Sequence, residues 1–120
     1  MIADIQEAVE AYFQDNWVGS IHYSNTQKRL NATSWIALEV VPIFATPHIG
    51  GNVTVSHIVY VTVYHDNKVS SAKLADRVIA FLKGTKILGN TVGPWRPVAQ
   101  GEIYDGMYSR RISFPISDTY

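Results

Sequence analysis

The residues best suited to chemistry in this chain are four histidines, two pairs of neighbouring carboxylates, a diglycine and a set of arginines among aromatics. Imidazole is a common metal ligand, so His22, His48, His57 and His65 raise a metal hypothesis first. His57 and His65 share one face of a strand-like run but stand about 26 Å apart at the rise of a strand, whereas metal–ligand bonds are about 2 Å. His22 and His48 fall in loop-like segments, and no metal site follows from the spacing. Asp4 with Glu7, and Glu102 with Asp105, would do acid–base work only in a cleft that pushes their titrations apart. The first pair sits on the solvent side of a helical pattern, where it complements the helix dipole, and the second flanks a hairpin tip. Neither pair has a nucleophile or a histidine beside it.

Gly50-Gly51 follows Thr46-Pro47-His48-Ile49 and leads into a strand, not into a helix whose N-terminus would hold phosphate, so it reads as a turn. The chain has no Gly-x-Gly-x-x-Gly, no phosphate-binding Gly-Lys-Ser/Thr loop and no Gly-x-Ser-x-Gly elbow. Each serine has a turn, cap or strand-face explanation, and a Ser-His-acid triad, whose members meet only in the fold, leaves no signal. Arg96, Arg110 and Arg111 with Trp95, Tyr104 and Tyr108 mix basic and aromatic residues as single-strand nucleic-acid binders do. Successive strand residues point to opposite faces, however, so Arg110 and Arg111 cannot share a patch, and the net charge is +0. Neither nucleic acid nor an anionic membrane is implied as a partner. No catalytic, cofactor-binding or metal-ligating residue is assigned, and the expectation is a protein that is not an enzyme.

The elements that would position these residues follow from periodicity. Ile5, Val9, Tyr12, Phe13 and Trp17 form one stripe of a helix that begins at Ile2 and ends near Gly19, with Asp4, Glu7, Ala11 and Asp15 opposite. Ser20 to Asn31 reads as a loop with a short strand at Ile21 to Tyr23. Thr33 to Val41 reads as a strand that Pro42 ends, and Thr46 to Asn52 as a connecting loop. Val53 to His65 is the clearest strand. Its Val53, Val55, His57, Val59, Val61 and Val63 face the core, and Thr54, Ser56, Ile58, Tyr60, Thr62 and Tyr64 form a semi-polar face open to a partner. Asp66-Asn67-Lys68 makes a turn, Ser70 or Ser71 caps a second helix through Leu74, Ala75, Val78, Ile79, Phe81 and Leu82, and Gly84 stops it. After the irregular stretch Gly89 to Pro97, Val98 to Tyr104 and Met107 to Ile116 flank the hairpin dipeptide Asp105-Gly106, with Pro115 at a sheet edge or strand end. The expected fold class is α+β: one domain over 1–120, an antiparallel sheet with two helices packed on one face, in the order α-β-β-α-β-β.

Cysteine is absent, which excludes disulfides and thiolate sites and fits a reducing compartment. No secretion signal or membrane-length apolar run is visible, so Asn31-Ala32-Thr33 and Asn52-Val53-Thr54 are chance glycosylation matches. Charge is unevenly spread: acidic Glu7, Glu10 and Asp15 lie on the first helix, and basic Lys73, Arg77 and Lys83 on the second. Opposed signs suit complementary subunit surfaces, since a head-to-tail contact repeated by rotation closes a ring. They equally suit ordinary solvated helix faces. Tyr104, Asp105, Met107 and Tyr108 at the hairpin are further candidate contacts, unless the hairpin merely completes the sheet.

The strand His57-Ile58-Val59-Tyr60-Val61-Thr62-Val63-Tyr64-His65, the helix from Lys73 to Gly84, and the hairpin Gly101 to Tyr108 followed by Arg110 to Ile116 resemble the tail terminator (tail completion) proteins of long-tailed bacteriophages. The first helix, with Tyr12-Phe13 and Asn16-Trp17, is similar too. The resemblance implies a virion protein that forms a ring, usually a hexamer, capping the finished tail tube at its head-proximal end after assembly in the host cytoplasm. It implies the major tail tube protein and a head-completion protein as partners, and no catalytic residues. A small protein-binding module, or another tail tube or head-tail connector subunit, is the alternative reading.

Purified protein is expected to carry no stoichiometric metal or nucleotide. Elemental analysis finding one zinc per chain would overturn this.

Overall fold

In the computed structural model, which describes residues 2–22, 34–104 and 106–119, the N-terminal apolar stripe forms helix α1, Ile2–Asn16. Ile5, Val9 and Phe13 are fully buried while Glu7 and Asp15 are exposed, the division expected of a helix lying on a core. The Trp17 N–H donates to the Phe13 carbonyl at 2.8 Å, which carries the helical path just far enough to bury Trp17 as well. The chain continues through β1 (Ile21–His22), β2 (Ser34–Pro47), β3 (Val53–His65), helix α2 (Lys68–Leu82), a small hairpin of β4 (Lys86–Ile87) and β5 (Asn90–Thr91), then β6 (Arg96–Tyr104) and β7 (Met107–Thr119).

The main sheet has the order β1-β2-β3-β7-β6 and is antiparallel except for the short parallel pairing of β1 with β2. Its register sorts side chains into two sets of cross-strand rows. Ile36–Val63–Arg110, Leu38–Val61–Ile112, Val40–Val59–Phe114 and Pro42–His57–Ile116 face the helices. There α1 packs over β2, and α2 packs over β3 and β7 through Leu74, Ala75, Val78 and Leu82. The fold is α+β, with the main elements in the expected order, β1 where a short strand from Ile21 is expected, and β4 and β5 as additions. An aromatic cluster joins the helices: Phe81 lies 4.9 Å from Phe13 and 5.1 Å from Trp17 between ring centroids.

Three local expectations change. The cap of α2 is Asn67, whose Oδ1 accepts the Ser70 N–H at 3.0 Å. Ser71 instead is buried, donates its hydroxyl to the Lys68 carbonyl and accepts the Arg110 Nε–H at 3.1 Å. Pro42 does not end β2, because β2 is an edge strand beyond its contact with β1, and an edge residue can lack an N–H at no cost to the ladder. A bulge between Pro42 and Phe44 absorbs the irregularity. Pro115 lies inside β7, paired with Ile58, but past the last β6 pair at Arg96 and Ser113, where Gly93 approaches it. The Gly93 N–H donates to the Pro115 carbonyl at 2.8 Å, and a Cβ on Gly93 would lie 2.7 Å from the Pro115 ring, so only glycine lets the chain approach this closely.

Phe13→Ala is expected to cost about 3–5 kcal/mol, because it opens a cavity among the rings that join both helices. Glu7→Ala is expected to stay within about 0.5 kcal/mol. Urea denaturation of both variants checks the contrast.

Candidate functional site

The candidate contacts on α1 and α2 do not form simple patches. Glu7 and Asp15 are exposed and Glu10 is half-buried. On α2, Arg77 is committed within the subunit: its Nη2 donates to the Val18 carbonyl at 2.7 Å and its guanidinium lies 4.3 Å from the centre of the Trp17 ring. Arg77 thus latches the end of α1 to α2. Lys73 borders an open cleft with Ser34, His65, Ser70 and Arg77, whereas Lys83 sits about 15 Å along the helix at the rim of another. The structure does not bring the three cations together.

At the closing hairpin, Asp105 lies outside the described residues, and Tyr104 is placed by its backbone alone, paired with Met107. Met107 is buried with Trp35, Ala37 and Tyr64, and Tyr108 is half-buried. The semi-polar face of β3 is also less open than its residues suggest. Tyr64 stacks on Trp35 with ring centroids 5.0 Å apart, and both Tyr64 and Thr62 are buried. Farther along, Arg111 donates to Glu39 Oε1 at 3.1 Å and covers the Tyr60 ring at 4.3 Å, so the charge of this face is balanced on the spot. Arg110 points to the helix side and Arg111 to the other, as strand alternation requires.

The histidines stay apart. His57 is buried within the sheet's helix side, His48 Nε2 pairs with Thr54 Oγ1 at 2.7 Å, and His65 Nδ1 accepts the Asn67 N–H at 3.1 Å. Among the described residues no group of three or more His, Cys, Asp or Glu is placed to hold a metal ion.

Two surfaces not singled out by motif are the most distinctive. The first is the arm formed by the far ends of β2 and β3, where residues 42–52 are all exposed and Phe44 keeps 58% of its surface in solvent. The second is a pair of clefts that meet at Trp95, itself 46% exposed. One, of about 260 Å³, is lined by Ala75, Ile79, Pro97 and Ile112 with Asp76 and Arg110 at its margin. The other, of about 390 Å³, runs between Lys83, Val92, Pro94 and Phe114. One sequence signal marks the arm: from Val40 to His65 there is no Asp, Glu, Lys or Arg.

Because Arg77 works inside the subunit, Arg77→Ala is expected to lower stability by about 1 kcal/mol, near 4 °C in melting temperature, from the lost ring contact and hydrogen bond. Lys73→Ala and Lys83→Ala should melt with the parent protein. Thermal unfolding followed by circular dichroism separates the two classes.

No family model matches the chain, and no curated protein matches it in sequence. Among solved structures, the chain is similar in fold to a chain in the virion of a native gene transfer agent particle, with a TM-score of 0.60 and 14% sequence identity. That likeness covers 96% of this chain and 92% of the other.

Proposed function

We propose that this chain is a non-enzymatic structural subunit of a phage-like virion, forming a ring that caps the tail tube, ends its polymerisation and offers the joint to the head. The observation that carries this reading is the fold likeness to a gene transfer agent virion chain over 96% of one chain and 92% of the other. Coverage that high in both directions means the shared unit is the whole fold, not a common fragment such as one hairpin. The tail-end assignment draws on the resemblance of His57 to His65, Lys73 to Gly84 and the closing hairpin to tail terminators.

On this reading the chain, 1–120, is one such domain. Its partners are further copies of itself in a hexameric ring, the major tail tube protein and a head-completion protein. A ring subunit needs two different lateral surfaces and two different axial ones. Glu7, Glu10 and Asp15 on α1, with Lys73 and Lys83 on α2, supply opposed charge. The tip at Tyr104, Asp105 and Tyr108 supplies an axial contact, with Met107 anchoring the hairpin from inside.

Deleting the gene and imaging the lysate tests the assignment. Over-long tails without heads are expected. Tails of normal length joined to heads would sink it, and headless tubes of normal length would move the subunit to the head-tail connector.

A further inference from the structure

The arm and the Trp95 clefts are opposite in shape and alike in chemistry. The arm is convex, with Ile43, Phe44 and Ile49 in solvent, and the clefts are concave and mainly apolar. They belong to opposite sides of the sheet: the arm carries the free edge of β2, and Trp95 leads into β6, the other edge. One chain therefore cannot fill its own cleft.

We propose that the arm of one copy seats Phe44 and Ile49 in the Trp95 clefts of the next copy, head to tail. The proposal deepens the ring reading and rests on it only for closure into a ring; the contact itself stands on these two surfaces.

Three observations select a second copy and a side-chain contact. Both sheet edges resist further strand pairing. On β2, Pro42, Pro47 and the bulge interrupt the edge, and on β6, Pro97 and two register shifts do the same. Contact at these edges must therefore come from side chains.

Exposure is the second. Residues 42–52 are all exposed, an unbroken run in which Phe44 keeps 58% of its surface and Ile49 all of its surface in solvent. An exposed edge of this length would ordinarily carry lysines or inward charges as protection, and here it carries none.

Charge is the third. The hydrogen bond from the Ile36 N–H to the Ser20 carbonyl ties the end of α1 to the start of β2. The helix, about 22 Å long, packs over β2, the strand that carries the arm, and holds Glu7 exposed on that flank of the subunit. At the clefts, exposed Lys83 lines one and Arg110 the other. Seating the arm brings the acidic flank of one copy to the basic flank of the next. A two-fold exchange of arms would need arm and cleft on the same flank of each copy, whereas here they lie at opposite edges of the sheet.

The absence of cysteine makes the test direct. Full-length Phe44→Cys and Trp95→Cys proteins are purified separately, shown to fold by circular dichroism, then mixed and oxidised. The mixed disulfide is expected to exceed either homodimer by about tenfold. A chain carrying both substitutions should give a ladder of covalent multimers. A statistical mixture, or a dominant Phe44→Cys homodimer, overturns the proposal. Pro97→Cys in place of Trp95→Cys repeats the test should the tryptophan prove necessary for folding. Normal tails after gene deletion with intact cross-linking would remove the capping reading and leave this contact; over-long tails without cross-linking would do the reverse.

Discussion

β3 is paired on both sides along almost its whole length, with β2 from Ser34–His65 to Pro47–Val53 and with β7 from Thr54–Thr119 to His65–Tyr108. Side chains alternate along a strand, so this double pairing fixes which residues of three strands meet the helices and which do not. A slip of one residue between β3 and β7 would turn Arg111 toward the apolar underside of α2 and take Arg110 away from Ser71. It would also part Arg111 from Glu39 and Tyr60, which hold its guanidinium on the other face. The two adjacent arginines thus act as a register check: each has a polar partner only on its own face.

The helices depend on that register in turn. α1 and α2 sit on neighbouring strands, and what joins them is a cluster of rings closed by polar ties at both ends. At one end Arg77 bonds the Val18 carbonyl over Trp17, and at the other the Tyr12 hydroxyl donates to the Phe81 carbonyl at 3.1 Å. Such ties explain why the charges of two amphipathic helices do not add up to simple patches. Of the three candidate cations Arg77 is consumed in fixing helix geometry, and Lys73 and Lys83 lie about 15 Å apart along the helix.

Much of this was legible in the sequence, and the exceptions share a cause. The stripe Ile5, Val9, Phe13, Trp17 and the alternation from Val53 to His65 are long, strongly periodic signals, and both elements formed as read. Asp105-Gly106 located a hairpin between strands that do pair. Pro42 misled because proline forbids ladder donation only where a ladder exists, and sequence does not reveal that β2 is unpaired on that side. The burial of Tyr64 and of Met107 depends on Trp35 arriving across the strands, a contact that period alone cannot supply. Ser71 looked like a cap because serine suits one, but its hydroxyl was needed by Arg110, thirty-nine residues away. For the candidate surface, the informative feature was an absence: the long uncharged run from Val40 to His65 is unusual for strands that end in solvent.

An uncharged arm carries a liability in the free subunit, and its energetics suit a contact that is weak between two free copies and strengthened when several are held together. Burying Phe44 and Ile49 removes on the order of 300 Å² of apolar surface, about 8 kcal/mol at 25 cal/mol per Å². Association costs about 4–15 kcal/mol in lost freedom and side-chain order. Exposed charge pairs add about 0–1 kcal/mol each. One arm in one cleft therefore lies near balance. Closing a ring adds a final contact without a further loss of translational freedom, because the two subunits it joins are already tethered through the others. A surface that holds successive subunits side by side lowers the same cost for each addition. Head-to-tail contacts of this strength form and break between two free subunits, where a disulfide can trap them, and persist where several copies are held together.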